Sequence, residues 1–200
     1  MSRKLTLLIG TLACVAVDAA AQTVGTPVFM APFRAFTSSE FGATFSDPGN
    51  GWALEGAYRY GSGGWDIGVR AGFWNFERAG DDDLYVLAGA DFRYRVITHT
   101  EEFPLDGAVT FGIGGAFGDN SVGFVPVGLS LGRRVELEDS DVSFVPYLHP
   151  IIGFTFGDNS DGIFALGLGV DFKLSSRFDL RITGGIGDIE GIGIGFAWVR

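Results

Sequence analysis

Cysteine is almost missing from this 200-residue chain: Cys14 is the single thiol, and it lies in the leader-like first stretch. From residue 22 onward the sequence therefore offers neither a disulfide nor a thiolate ligand for a metal. Histidine is scarce too, with His99 and His149 alone, which leaves little material for acid–base or nucleophilic catalysis. Basic residues number 14 against 24 acidic ones, a net charge of −10 with no Lys/Arg cluster, and this excludes nucleic acid as a partner. No apolar run approaches the ~20 residues of a transmembrane helix, and helical spacing never persists. The chain is nonetheless far from disordered, because 46% of it is hydrophobic and only 19% is charged.

The first residues, MSRKLTLLIGTLACVAVDAAAQ, combine a basic start at Arg3 and Lys4, a short apolar run and a small-residue end. Ala19-Ala20-Ala21 before Gln22 fits an export cleavage site, so residues 1–21 are expected to be a secretory signal peptide and 22–200 the mature domain. Thr11 stands where acylation of Cys14 would require a larger aliphatic residue, which argues against a lipoprotein.

What is abundant is glycine, at 32 residues, and phenylalanine, at 19. Alternation of large apolar with small or charged residues predicts strands over 33–46, 52–61, 65–77, 84–97, 107–117, 124–136, 142–156, 163–174, 177–187 and 191–200. The separators DPGNG, GSGG, RAGDDD, HTEEFPLD, GDNSVG, LEDSD, GDNSDG, SSR and DIEG are rich in turn formers and too short for crossover helices. The chain therefore reads as an antiparallel meander. An internal repeat supports this, with GDNS at 118–121 and again at 157–160, each joining a pair of strands. Asp119, Asn120, Asp158, Asn159 and Asp161 are oxygen donors, but the alternating acidic positions and late Glu of a calcium loop are missing, so tight turns are the reading preferred.

The faces decide the class. Phe164, Leu166, Leu168, Val170, Phe172 and Leu174 oppose Ala165, Gly167, Gly169, Asp171 and Lys173; Ile192, Ile194, Phe196 and Trp198 oppose Gly193, Gly195 and Ala197. The exposed face of a soluble sandwich seldom carries so much glycine, which weakens a strand. In a membrane barrel the apolar face meets lipid, and the small or charged face fills a cramped interior. The expected fold is all-β: a closed antiparallel up-and-down transmembrane β-barrel of about ten strands, with eight as the alternative.

An even strand number puts both termini on the periplasmic side and leaves short external turns whose rim is acidic, with Asp81, Asp82, Asp83, Asp119, Asp158, Asp161, Asp188 and Glu190. Alternation sends Glu40, Glu55, Arg59, Asp66, Arg70, Asp91, Arg93, Arg95, Arg134, Glu136, Asp171, Lys173, Asp179 and Arg181 inward, seven of each sign. Buried charges need partners, so this balance predicts a charge-paired lumen, with arginines of one wall filling the space left by glycines of the other. Trp52, Tyr58, Tyr60, Trp65, Phe73, Tyr94, Phe178 and Trp198 fall near strand ends, as interfacial girdles do.

The leader, the Gly-aromatic hairpins, the turn LSSRFDLR (174–181) and the last strand GIGIGFAWVR (191–200) together resemble the small outer-membrane β-barrels of Gram-negative bacteria, the OmpA/OmpX/opacity-like superfamily. The resemblance implies the outer membrane as location. It also implies membrane lipids, lipopolysaccharide and the insertion machinery that reads the last strand as partners, although this chain ends in Arg200 and not in an aromatic residue.

The function expected is a structural or narrow-pore role, without cofactor, metal site or catalytic residues. Transport or binding of small apolar solutes is the alternative, because Pro126, Pro146 and Pro150 interrupt the donors of two adjacent strands and weaken that wall. A lipid-modifying enzyme is the least favoured, since His99 falls in an expected periplasmic turn and His149, on the lumen face of YLHPIIG, has no Ser or Asp nearby in sequence.

Overall fold

The computed structural model describes residues 26–32, 38–78, 81–138, 140, 142–157 and 160–200. The expected leader with Cys14, and the pair Asp158 and Asn159, lie outside the described residues, as do the side chains of Asp81 and Asp82.

Each two-faced segment satisfies its backbone groups by pairing sideways, and a ring of such pairs leaves no edge. The strands are β1 (Glu40–Asp47), β2 (Trp52–Ser62), β3 (Trp65–Arg78), β4 (Asp81–Ile97), β5 (Asp106–Phe117), β6 (Val122–Gly132), β7 (Ser143–Gly157), β8 (Gly162–Lys173), β9 (Phe178–Gly187) and β10 (Gly191–Val199). A two-residue continuation of β6, Val135–Glu136, pairs with β7 in unchanged register. Every strand is antiparallel to its neighbours in chain order, and β1 closes on β10 from Glu40↔Val199 to Asp47↔Ile192. The result is a closed ten-stranded barrel with no helix among the described residues. We call the end carrying Glu40 and Arg200 the proximal rim, and the end carrying the β1–β2 turn the distal rim.

The pleat sorts the side chains as alternation expects. Phe154 is 72% exposed and Ile192 68%, both outward, whereas inward Trp74, Ala165 and Asp179 are fully covered. Such an apolar exterior is far larger than a soluble monomer leaves bare. The tyrosines and tryptophans expected as girdles all point outward, with Trp65 stacked on Phe92 and Phe178 on Phe196 near the proximal rim. The β1–β2 turn needs glycine at position 51, where φ is 93° and a Cβ would stand 1.9 Å from the Asn75 carbonyl oxygen.

The three prolines leave a mark on β6. Its ladder to β5 lapses at 112–113 and 125–126, beside Pro126. Its ladder to β7 lapses at 129–130 and 149–150, beside Pro150, and again at 133–134 and 145–146, beside Pro146. Register is conserved across every gap, because a proline withdraws one N–H without adding a residue.

One expectation needs correction. Where a strand was expected over 33–46, the described residues enter β1 only at Glu40, with Ser38 and Ser39 outside it and 33–37 outside the described residues, and residues 26–32 lie inside the barrel. Pro27 and Pro32 bracket that segment and lack the N–H groups that a strand in a ladder would donate.

Candidate functional site in the lumen

The inward segment TPVFMAP (26–32) forms a strap through the lumen, and the barrel wall supplies the hydrogen bonds that no ladder gives it. Phe29 N–H donates to Thr183 Oγ1 (3.3 Å), and the Phe29 carbonyl accepts from the Tyr147 hydroxyl (3.1 Å). Met30 N–H donates to His149 Nδ1 (3.3 Å), and its carbonyl accepts from Ser130. Arg93 donates to the Ala31 carbonyl, Thr26 donates to Glu55, and Arg59 reaches the Met30 sulfur at 3.1 Å. Unpaired buried backbone groups are costly, so this set of contacts fixes the strap's position.

The strap explains the glycine wall. An added Cβ at Gly167 would stand 2.1 Å from the Phe29 ring, and one at Gly185 would stand 2.8 Å from it. Phe29 packs there with Tyr147, Ile151, Ile163, Ala165 and Ile189. The arginines expected to fill this space do not reach it; the strap's phenylalanine does. Arginine does cover glycine next to its own strand, where a Cβ at Gly68 would meet Arg59 Nη2 at 2.7 Å.

The charges gather in the proximal half of the lumen. Asp66 lies between Arg59 and Arg93, accepting from Arg93 Nε at 2.8 Å, and Arg59 also binds Asp91. Arg70 joins Asp91 (3.4 Å) to Glu55 (3.8 Å). Arg181 forms a bidentate pair with Glu40 at 2.8 and 2.7 Å, reaches Asp171 at 3.4 Å, and is linked through Glu40 to Arg59 at 3.8 Å. One continuous network thus holds Glu40, Glu55, Arg59, Asp66, Arg70, Asp91, Arg93, Asp171 and Arg181.

The remaining inward charges sit around it. Asp179 is fully buried and lies opposite Lys173 in the β8–β9 register. Arg95 and Arg134 are half-buried towards the proximal rim, and the Arg95 backbone N–H binds the Gly64 carbonyl at 2.8 Å. Glu136 shares the inward register of Ser143 but stands exposed at the rim.

The distal half is built differently. Trp74 and Tyr85 pack with Ala53, Leu87 and Ala116, and Phe76 meets the Trp74 ring edge-on at 5.3 Å. The Trp74 indole N–H donates to the Asn50 carbonyl at 3.2 Å, tying this cluster to the distal turn. The cluster and the strap both lie outside the expectations drawn from sequence. The pleat that sends Gly72 inward carries on to Trp74, and the two prolines bracketing an apolar stretch before β1 were the available sign of the strap.

His149 serves as a clamp between the strap and the wall. Its Nδ1 accepts from Met30 N–H, so the neutral ring carries its proton on Nε2, 2.8 Å from Thr110 Oγ1. Both nitrogens are engaged, and the Ser130 hydroxyl is turned to the Met30 carbonyl, so the two do not form a nucleophile–base pair. His99, outside the lumen, binds Asp106 at 2.8 Å next to the proximal rim. No group of three or more potential metal ligands occurs among the described residues.

No protein-family model matches the chain, and no curated protein matches it. Among solved structures it is similar to the beta domain of the Bordetella autotransporter BrkA, at 15% identity and a TM-score of 0.51, over 80% of this chain and 98% of that one. The fold is that of a transmembrane β-barrel. A de novo designed transmembrane barrel is also similar, at 16% identity and a TM-score of 0.40, over 86% of this chain and all of the design. At such identities the likeness is one of fold alone, and it does not extend to membership of the OmpA/OmpX/opacity-like superfamily.

Proposed function

We propose that this chain is an integral barrel of the Gram-negative outer membrane whose lumen is plugged from within, with a structural role and at most a narrow pore. The observation that carries the reading is the strap: side chains from five strands, β2, β4, β6, β7 and β9, hold residues 26–32 across the channel. Next to it, the paired charges leave little excess of either sign to select an ion. The leader-like N-terminus and the last strand, Gly191–Val199, support export and insertion, and the apolar exterior suits outer-membrane lipid and lipopolysaccharide chains.

Planar-bilayer recording on the full mature protein tests this. The unmodified barrel is expected to show no resolved conductance steps. Replacing residues 26–32 with a Gly/Ser segment of equal length is expected to produce them. Large, steady steps in the unmodified protein would overturn the reading.

A further inference from the structure

The strap does not fill the lumen evenly. Between it and the inner faces of β4–β7 lies a cavity of about 110 Å³, and a smaller one of about 60 Å³ lies on its other side, among the charges. The larger cavity is lined mainly by apolar groups, including Val28, Met30, Leu87, Phe124, Ile151 and Ile189. The charged groups at its edge are already engaged, since Arg70 holds Asp91 and Glu55, and Thr26 also binds Glu55. One polar function remains directed by geometry: the His149 Nε2 proton is given to Thr110 Oγ1, which leaves the Thr110 hydroxyl proton to donate elsewhere.

A dry apolar cavity of roughly 150 Å³ is enough to take up benzene. The volume here is of the same order and suits an occupant of about one six-membered ring. The wall beside the cavity also has breaks in its ladders. Pro126 and Gly112 line it, and at that point the β5–β6 ladder lapses. The Pro150 gap on the other edge of β6 lies next to His149. A strand released at both edges can part from its neighbour at lower cost than one with a full ladder.

We propose that this cavity binds an uncharged, single-ring aromatic molecule with at most one hydroxyl, admitted from the bilayer through the β5–β6 seam at Pro126. Ring size follows from the volume, neutrality from the paired charges, and the single hydroxyl from Thr110. The proposal rests on the strap being seated, which the conductance recording tests independently.

Fluorobenzene is the probe, followed by 19F NMR with the full mature protein in lipid nanodiscs and protein-free discs as reference. Saturable binding beyond lipid partition is expected. Val28→Phe, which fills the cavity from the strap, is expected to weaken it at least tenfold in a barrel that keeps its heat-modifiable gel migration. Pro126→Val, which returns an N–H to the seam, is expected to slow exchange several-fold and leave affinity within about twofold. Absence of saturable binding to the folded protein overturns the site, and so does binding that Val28→Phe leaves unchanged. Exchange that Pro126→Val does not slow overturns the seam as the route. A silent bilayer recording together with no fluorobenzene binding would retain the plug and reject the ligand site.

Discussion

The two halves of the lumen solve the same packing problem with different chemistry. In the proximal half, Asp66 sits fully buried between Arg59 and Arg93, and the fit depends on charge and direction. In the distal half, Trp74, Tyr85 and Leu87 pack against alanines, and the fit depends on volume. A buried ion network fixes register and partners, while removing one member leaves the others as uncompensated charges. An apolar cluster gains from burial and tolerates changes of shape better than changes of size. The distal half is thus a hydrophobic core of ordinary kind placed inside a membrane barrel, and the proximal half is a lock.

That contrast is most strongly tested at its two centres. Asp66→Asn and Asp66→Leu are both expected to destabilise by about 3–5 kcal/mol, since either substitution takes away the buried carboxylate that Arg59 and Arg93 share, whatever its volume. Trp74→Ala is expected to cost a similar ~3–5 kcal/mol, but Trp74→Phe much less, because volume decides there. Urea unfolding in lipid vesicles measures all four. An Asp66→Leu protein as stable as the parent would remove the lock from the account.

A smaller effect probes where the strap meets the glycine wall. Gly167→Ala forces a methyl group into the Phe29 ring and is expected to cost about 1–3 kcal/mol. Phe29→Ala combined with it is expected to be more stable than the two separate losses predict, a coupling of about 1 kcal/mol or more in a double-mutant cycle. Strict additivity would mean that Phe29 and Gly167 do not touch. The smallest effect is that of salt. Raising NaCl from 0.1 to 1 M is expected to change stability by less than about 0.5 kcal/mol, because the paired carboxylates and guanidiniums are largely shielded from solvent ions.

Most of the wall can be read from sequence because a strand has a period of two. Val170, Phe172 and Leu174 against Asp171 and Lys173 already specify which side meets lipid, and the structure places Arg181 opposite Asp171 in the register that this alternation requires. What escapes is whatever depends on distance across the barrel. Arg181 makes its bidentate pair with Glu40, 141 positions away and on the far side of β10, and nothing local to either residue announces it. Phe29 is legible as an apolar residue between two prolines, yet its partners Gly167 and Gly185 read as thin strands until a ring is seen to fill the space. Trp74 falls on the inward face by the same alternation, but its partners Tyr85, Leu87 and Ala116 come from two other strands and are not announced by it.

The position of the strap in the chain has a consequence for how the molecule assembles. Residues 26–32 precede β1, but their anchors come from Glu55, Arg93, Ser130, Tyr147 and Thr183. The last of these belongs to β9, so a segment that precedes every strand cannot complete its contacts until nearly the whole wall has been wound. Seating of the strap is therefore a late event, and it reports completion. A barrel missing a strand, or paired one residue out of register, would present its anchors in the wrong places and leave its own N-terminal segment loose, open to proteases that the finished molecule excludes.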